Sequence, residues 1–509
     1  MKRRFRGLRR RPGPSYDTVV IGGGIGGLVA GLLLAREGQK VLLVEQHYML
    51  GGYCSTFRRG GFTFEAATHF YPLLGNPESW PGRLMRDLGV TTEWIQMDPV
   101  DTFHLPDGSR FDVPADYATY RQRLDERFPA ERDALDRFFV EVRDAYLLGL
   151  LYYFRGRRTR RFTGYEPQTV RDALDRHFKD EALKLLLTAD CPHWGGPPER
   201  TSFVFDSMLR LSYFLGNYFP KGGSQAFADE LARCFEAAGG EVLMSTEVDR
   251  IEVRDGRVAG VELQTHRGGL RGRYSVAADV VVSNADLRLT VDRLLPGGSV
   301  DPAYRAQVAS LRPSAPCFLT HIGVHGVDRD ALERAQGYYW RHWDPDRLGR
   351  DGLVCKVFVP TLYDPSLAPP GGDIVILQKV QELDYAAVED WTTHKLAVEE
   401  EIFRHLTEVV PGLRERTAVR LSASAHTSWR FTWNDAGAML GWEMSPDQLG
   451  ENRPAVEGPV DGLYLVGHWT RPGGGIVPVL VSALDVAARL GASPPDLSMQ
   501  APTLERMAG

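Results

Sequence analysis

Gly22, Gly24 and Gly27 stand in G-x-G-x-x-G spacing directly after the apolar run Val19-Val20-Ile21. This spacing has a physical reading. The first glycine permits a tight turn, the second lets backbone approach a pyrophosphate, and the third lets a helix pack closely on a strand. The N-terminus of the helix that follows offers free N–H groups and a partial positive charge to phosphate. Residues 40–45 read as the next parallel strand, and that strand ends on Glu45, where a carboxylate can accept hydrogen bonds from a ribose diol. The unit of strand, turn, helix, strand and acid predicts a dinucleotide site.

Other chemistries lack their residues. No second fingerprint in a strand–helix context is found, so a dedicated nicotinamide site is not expected. Cys54, Cys191, Cys234, Cys317 and Cys355 are scattered, with no metal-ligand or C-x-x-C spacing. That usage suits a reducing compartment without a disulfide framework. No histidine–carboxylate cluster suggests a metal, and no G-x-S-x-G suggests a hydrolase.

Elements must position the glycine unit, and the chain offers them in separated stretches. Residues 15–74 open with it, and residues 62–64 read as a further strand. Residues 75–219 read as an inserted helical segment, with helical periodicity at 133–154 and 170–187 and frequent aromatics. A helix is predicted after Lys221-Gly222-Gly223-Ser224, with Ser224 as N-cap and Gly239-Gly240 as its end. Short strands follow at 241–244, 247–253, 257–263 and 278–283, with Asp255-Gly256 as a hairpin turn. Residues 301–454 read as mixed, with strands near 317–324, 353–360 and 373–380 and a helix at 385–409. The last segment repeats the opening pattern, with a strand at 463–467, the turn Pro472-Gly473-Gly474-Gly475, and an apolar helix at 476–490.

The chain has 509 residues, enough for two or three domains, and a net charge of −6. The bulk of the protein carries no polyanion-binding charge, so nucleic acid is not an expected partner. Residues 1–14 read as a basic flexible tail, with Lys2, Arg3, Arg4, Arg6, Arg9, Arg10 and Arg11, either solvated or drawn weakly to anionic lipid. No signal peptide and no transmembrane segment are expected. The apolar run at 145–154, followed by Arg155, Arg157, Arg158, Arg160 and Arg161, has two readings: a peripheral membrane contact, or a buried helix ending in a solvated basic loop. The expected location is cytoplasmic, with peripheral contact on the inner face of the membrane kept open.

The opening unit with Gly51-Gly52, the block Pro220-Lys221-Gly222-Gly223-Ser224, the run Val281-Val282-Ser283-Asn284-Ala285-Asp286 and the closing Pro472-Gly473-Gly474-Gly475-Ile476-Val477-Pro478 together resemble the phytoene desaturase family, which includes carotenoid isomerases and retinol saturase-like enzymes. The resemblance runs end to end. It implies an α/β fold: an interrupted Rossmann-like FAD-binding domain (residues 15–74, 220–300 and 455–495) and a mixed-sheet and helical substrate domain (residues 75–219 and 301–454) around an apolar tunnel. It implies that Gly22, Gly24, Gly26 and Gly27 cradle the pyrophosphate of FAD and that Glu45 holds the ribose. Gly51, Gly52, Ser55 and Thr56 would lie along the cofactor, Val248 would meet the adenine, and Gly467, Gly474, Gly475, Ile476 and Val477 would approach the flavin end. Two departures from the desaturase pattern leave reaction direction open. His69 follows Phe64-Glu65-Ala66-Ala67-Thr68, and His468 follows Gly467. Both histidines are candidates to move or hold a proton beside the flavin. Trp194, Tyr213, Phe214, Tyr218, Phe219, Trp429, Phe431, Trp433 and Trp442 could line the tunnel, whereas His193 and Trp194 in Pro-His-Trp-Gly-Gly read as a structural turn.

The expected activity is oxidation or reduction at carbon–carbon bonds of an apolar isoprenoid, first as a carotenoid-type desaturase. The alternatives are a polyene saturase or isomerase, an amine or porphyrinogen oxidase, and a non-enzymatic prenyl-lipid carrier on the same fold. The expected partner is an apolar polyene, with the electron donor or acceptor open.

Overall fold

Val19, Val20, Leu42, Leu43, Val281 and Val282 are fully buried, as strands covered on both faces require. In the computed structural model, which describes residues 5–155, 158–194, 196–266, 270–342 and 352–493, they form the centre of a seven-stranded sheet. Its order is Thr246–Arg254, Arg257–Thr265, Gly272–Ser283, Ser15–Ile21, Val41–Glu45 and Glu241–Met244, with Leu463–Leu465 pairing the end of Gly272–Ser283. Ser15–Ile21 runs parallel to both of its neighbours. The parallel strands therefore end along one edge, where open α/β sheets bind ligands. Helices Ile25–Arg36, Ser224–Ala237 and Ile476–Arg489 cover one face.

A second seven-stranded sheet runs Thr417–Ala423, Cys317–His325, Gly372–Val380, Leu353–Phe358, Gly337–Trp340, Asp101–His104 and Arg110–Val113. Helix Trp391–Val409 packs one face through Val398, Ile402, Phe403 and Leu406. A helical layer of Arg132–Arg155, Val170–His177, Glu181–Thr188 and Phe203–Phe214 shares a core with the far end of this sheet.

The strands of the first sheet fall in residues 15–74, 220–300 and 455–495, and those of the second in residues 75–219 and 301–454. Several finer expectations change. From Phe5 onward the expected tail is packed: Phe5 is buried and its N–H donates to Asp229, Leu8 N–H donates to Val242 O at 2.7 Å, and Arg10 pairs with Glu241. Lys2, Arg3 and Arg4 lie outside the described residues. The segment read as helical also carries strands Asp101–His104 and Arg110–Val113, too short to declare themselves without their partners. The periodicity at 170–187 belongs to two helices, the second capped by Asp180. The helix read from residue 385 begins at Trp391, after a short 3-10 turn. Ser224 is not a cap. Gly223, at φ +80°, holds that position, and the Ser224 hydroxyl is bound to Glu65.

Candidate active site

A cavity of about 900 Å³ begins at the strand ends of the first sheet and continues against the second sheet and the helical layer. Its first half is made of backbone. Gly22, Gly24, Gly26, Glu45, Gly51, Gly52, Val248, Gly467, Gly474, Gly475, Ile476 and Val477 all line it. Glycine is required at several of these places. A Cβ at Gly24 would stand 2.9 Å from Asn284 Nδ2, and one at Gly467 (φ +100°) 2.5 Å from Asn284 Oδ1. Gly51, at φ +106°, would place a Cβ 2.2 Å from Cys54 O. Gly27 is off the wall. Its Cβ would meet Gly22 O at 2.2 Å, so it sets the close approach of helix to strand.

Glu45 is buried and accepts N–H from Gly23 and His47, each at 2.7 Å. Burial pushes its pKa up, and these backbone donors pull it back. Helix Ile476–Arg489 starts directly after Gly475, so its N-terminal residues meet the cavity. Gly467 N–H donates to Ser482 Oγ at 3.0 Å and fixes the preceding turn. A narrow glycine-walled groove, a carboxylate at a strand end and two helix N-termini fit FAD. The residues named would hold its pyrophosphate, ribose and flavin ends.

Thr56 departs from expectation. Ser55 lines the cavity and donates to Gly52 O at 2.8 Å, but the Thr56 side chain lies toward Gly223 and is not on the cavity wall. Asn284 is the cradle residue that the motif reading left without a role. It follows strand Gly272–Ser283 as Gly22 follows Ser15–Ile21, and its amide lies among Gly22, Gly24, Gly26 and Gly467.

The second half of the cavity is made of side chains. Tyr146, Leu150, Tyr153, Phe205 and Met208 line it from the helical layer, and Leu319 and Leu421 from the second sheet. The apolar run at 145–154 thus supplies part of the wall. Of the expected aromatics, Tyr213, Phe431 and Trp433 line the cavity. Phe214 packs on Tyr117 and Tyr120, Phe219 on Phe358, and Trp442 on Trp469. Tyr218 packs beside Gly75, Trp429 is exposed and stacks on His426, and the Trp194 side chain lies outside the described residues.

His69 and His468 both line the cavity. His69 is 4% exposed; its Nδ1 is 2.8 Å from Gln378 Nε2, and its Nε2 has no hydrogen-bond partner among the described residues. Burial, with Lys356, His321 and His193 nearby, holds its pKa well below the ordinary histidine value. His468 is pushed down to about 3 by burial, with Arg453 adding to the effect. His321 Nε2–H donates to the backbone Glu65 O, 2.9 Å away, and burial pushes its pKa down to about 4. All three are neutral imidazoles at neutral pH.

Behind this wall lies a buried ion pair. Lys356 Nζ is 2.7 Å from Asp101 Oδ2, contacts the Tyr338 hydroxyl at 3.2 Å, and sits 3.8 Å from the Phe70 ring centroid. Burial lifts Asp101 to about 6 and lowers Lys356, and their mutual attraction opposes both shifts. Lys356 carries its own sequence signal, as a charged residue inside an otherwise apolar strand. Among the described residues no group of side chains is arranged to hold a metal, and no helix is long and apolar enough to cross a membrane.

Known proteins resemble this chain along most of its length. It is 26% identical to the phytoene desaturase (neurosporene-forming) of Cereibacter sphaeroides, over 97% of this chain and 99% of that one. It is 25% identical to the all-trans-retinol 13,14-reductase of Danio rerio, over 91% and 84%. The fold matches a crystal structure of an oxidoreductase from Methanosarcina mazei with a TM-score of 0.66 at 20% identity, over 92% and 99%. The pattern of the flavin containing amine oxidoreductases matches residues 25–491, which takes in most of the glycine cradle, the chamber and the closing helix. The chain therefore belongs to the flavin-containing amine oxidoreductase family and is an FAD-dependent oxidoreductase.

Proposed function

We propose that this enzyme acts on carbon–carbon bonds of an apolar isoprenoid, in the first place as a carotenoid-type desaturase. The observation that carries this reading is one continuous cavity, in which a glycine cradle opens into a chamber walled by Tyr146, Leu150, Tyr153, Phe205 and Met208. Such walls suit a substrate with few groups to hydrogen-bond. The relatives described above are named for phytoene and retinol, which agrees with that chemistry.

Bound FAD supplies hydride transfer. The chain's own residues align the polyene, exclude water and manage a proton. His69 is suited to the proton because it is neutral, buried and fixed by Gln378. Desaturation needs Nε2 free to take a proton, with the Gln378 amide oxygen accepting from Nδ1–H. The opposite amide orientation, with Gln378 Nε2 donating to Nδ1, would leave the ring proton on Nε2 and would support a second reading: proton delivery to the polyene in the saturating direction.

The test is to incubate FAD-loaded enzyme with a panel of polyenes under oxidising and then reducing conditions and to follow polyene absorption. A red shift marks desaturation and a blue shift saturation. Unchanged polyene spectra, together with flavin bleaching by amines, would remove the isoprenoid reading.

A further inference from the structure

Arg210, Lys356 and Arg453 are the basic side chains buried in the fold among the described residues. Two of them have a counter-charge. Arg210 pairs with Asp206 at 2.9 Å, and Lys356 with Asp101 at 2.7 Å. Arg453 is the most deeply buried of the three, and among the described residues it pairs with no carboxylate. Its donors go to neutral acceptors instead. Nε donates to Thr470 O at 3.1 Å, and Nη2 donates to His468 O at 2.8 Å and to Trp442 O at 3.1 Å. Nη1 reaches Gln448 O and Met444 Sδ. Glu443, beside Trp442 and Met444 in the chain, is held by Arg200 and Arg312. Burial pushes the Arg453 pKa down to about 9, so the group is still a cation at neutral pH. Buried charges are normally paired, because an isolated one is costly.

This cation stands directly behind the cofactor half of the cavity. Gly467, His468, Pro472, Gly474 and Gly475 line that wall, and Arg453 binds two carbonyls of the same segment. A Cβ on Gly473 would stand 3.5 Å from Arg453 Cζ. The guanidinium is therefore separated from the cavity by main chain, and its charge acts on His468 and Tyr153, both on the wall. The other groups at this wall add no opposing charge. His468 and His69 are neutral, burial keeps the Tyr153 hydroxyl protonated, and Lys356 is matched by Asp101.

This segment is where the flavin end of FAD would lie. A hydride brings two electrons and one proton to an uncharged oxidised ring, so the reduced ring is an anion until it takes a second proton. Charge placed near the ring tunes that couple, and inside a protein a charge acts over many ångströms.

We propose that Arg453 is the counter-charge of the reduced flavin: a positioning residue that braces the turn through its hydrogen bonds and whose charge, acting through main chain without touching the ring, makes the site hold the reduced anion more tightly than the oxidised cofactor. The inference needs FAD and is independent of what the chamber takes.

The experiment measures the midpoint potential of bound FAD, the affinity of the apoprotein for oxidised FAD, and proton uptake on reduction with dithionite. Arg453→Gln should lower the ratio of reduced to oxidised affinity about tenfold, which is about 30 mV for a two-electron couple. Oxidised FAD should still bind within about threefold of the wild-type affinity. Arg453→Lys, which keeps the charge, should retain most of the wild-type potential. At about pH 6 the wild type should take up one proton per two electrons, fewer than free FAD in the same buffer. An unchanged potential in Arg453→Gln overturns the proposal. If oxidised and reduced FAD lose affinity equally, the charge serves the pyrophosphate or the fold and the proposal also fails. Where the variants do not fold, the wild type decides: proton uptake equal to that of free FAD overturns the assignment.

Discussion

The cofactor cradle and the substrate chamber share one cavity, but they are made of different material. The cradle is backbone: glycines at positive φ, strand ends and helix N-termini, with Asn284 and Glu45 as its chief side chains. The chamber is side chain: an aromatic and aliphatic wall with His69, Gln378 and His193 set into it and the Lys356–Asp101 pair behind. A backbone site tolerates little change, because an added Cβ at Gly27 or Gly51 strikes main chain that cannot move aside. A side-chain site can be re-cut one residue at a time, which suits a family whose members transform different substrates on one cofactor.

The comparison can be broken first at the ion pair. Lys356→Met leaves Asp101 buried without its counter-charge, and the expected loss is about 3–5 kcal/mol in denaturant unfolding. A loss under about 1 kcal/mol would mean that the chamber does not depend on this pair. The cradle comes next. Gly27→Ala drives a Cβ into Gly22 O, and FAD affinity should fall about 100-fold, or about 2.7 kcal/mol, in titrations of the apoprotein. Gln378→Leu sharpens the contrast from the chamber side. It frees the His69 ring, and turnover should fall about tenfold while FAD affinity stays at the wild-type value. Equal losses of FAD and turnover would show that chamber and cradle are not separable.

The smallest effect is a pH slope where the two regions join. Glu65 accepts both the N–H and the hydroxyl of Ser224, and burial raises it from 4.5 to about 8. Between those values the folded state holds a proton that the unfolded chain has released, so this group's contribution to stability falls as pH rises. The stability difference between wild type and Glu65→Gln should therefore fall across that window, by at most about 1.4 kcal/mol per pH unit. A flat difference would mean that Glu65 is ionised in the fold.

The same contrast explains what the sequence made legible. Gly22, Gly24, Gly27 and Glu45 could be assigned because turn, close approach and strand end are local demands met within about 30 residues of chain. The closing strand, glycine turn and helix repeated that pattern and could be placed for the same reason. The chamber could not be read so directly. His69 meets Gln378 across 309 residues of chain, and Asp101 meets Lys356 across 255, over the one intervening strand Gly337–Trp340. His193 reads as part of a turn and sits in one, and only the fold shows that it also packs against Tyr338 at the cavity wall. The placement of Thr56 rests on the family resemblance alone, and its side chain lies toward Gly223 rather than on the cavity wall.

Cradle and chamber are held to be one site, with the flavin between them and the polyene against His69. The most direct test is anaerobic titration of FAD-loaded enzyme with a polyene, following flavin and polyene absorption together. Polyene binding is predicted to perturb or bleach the flavin band with one-to-one stoichiometry. Saturable polyene binding that leaves the flavin spectrum unchanged would contradict a shared site.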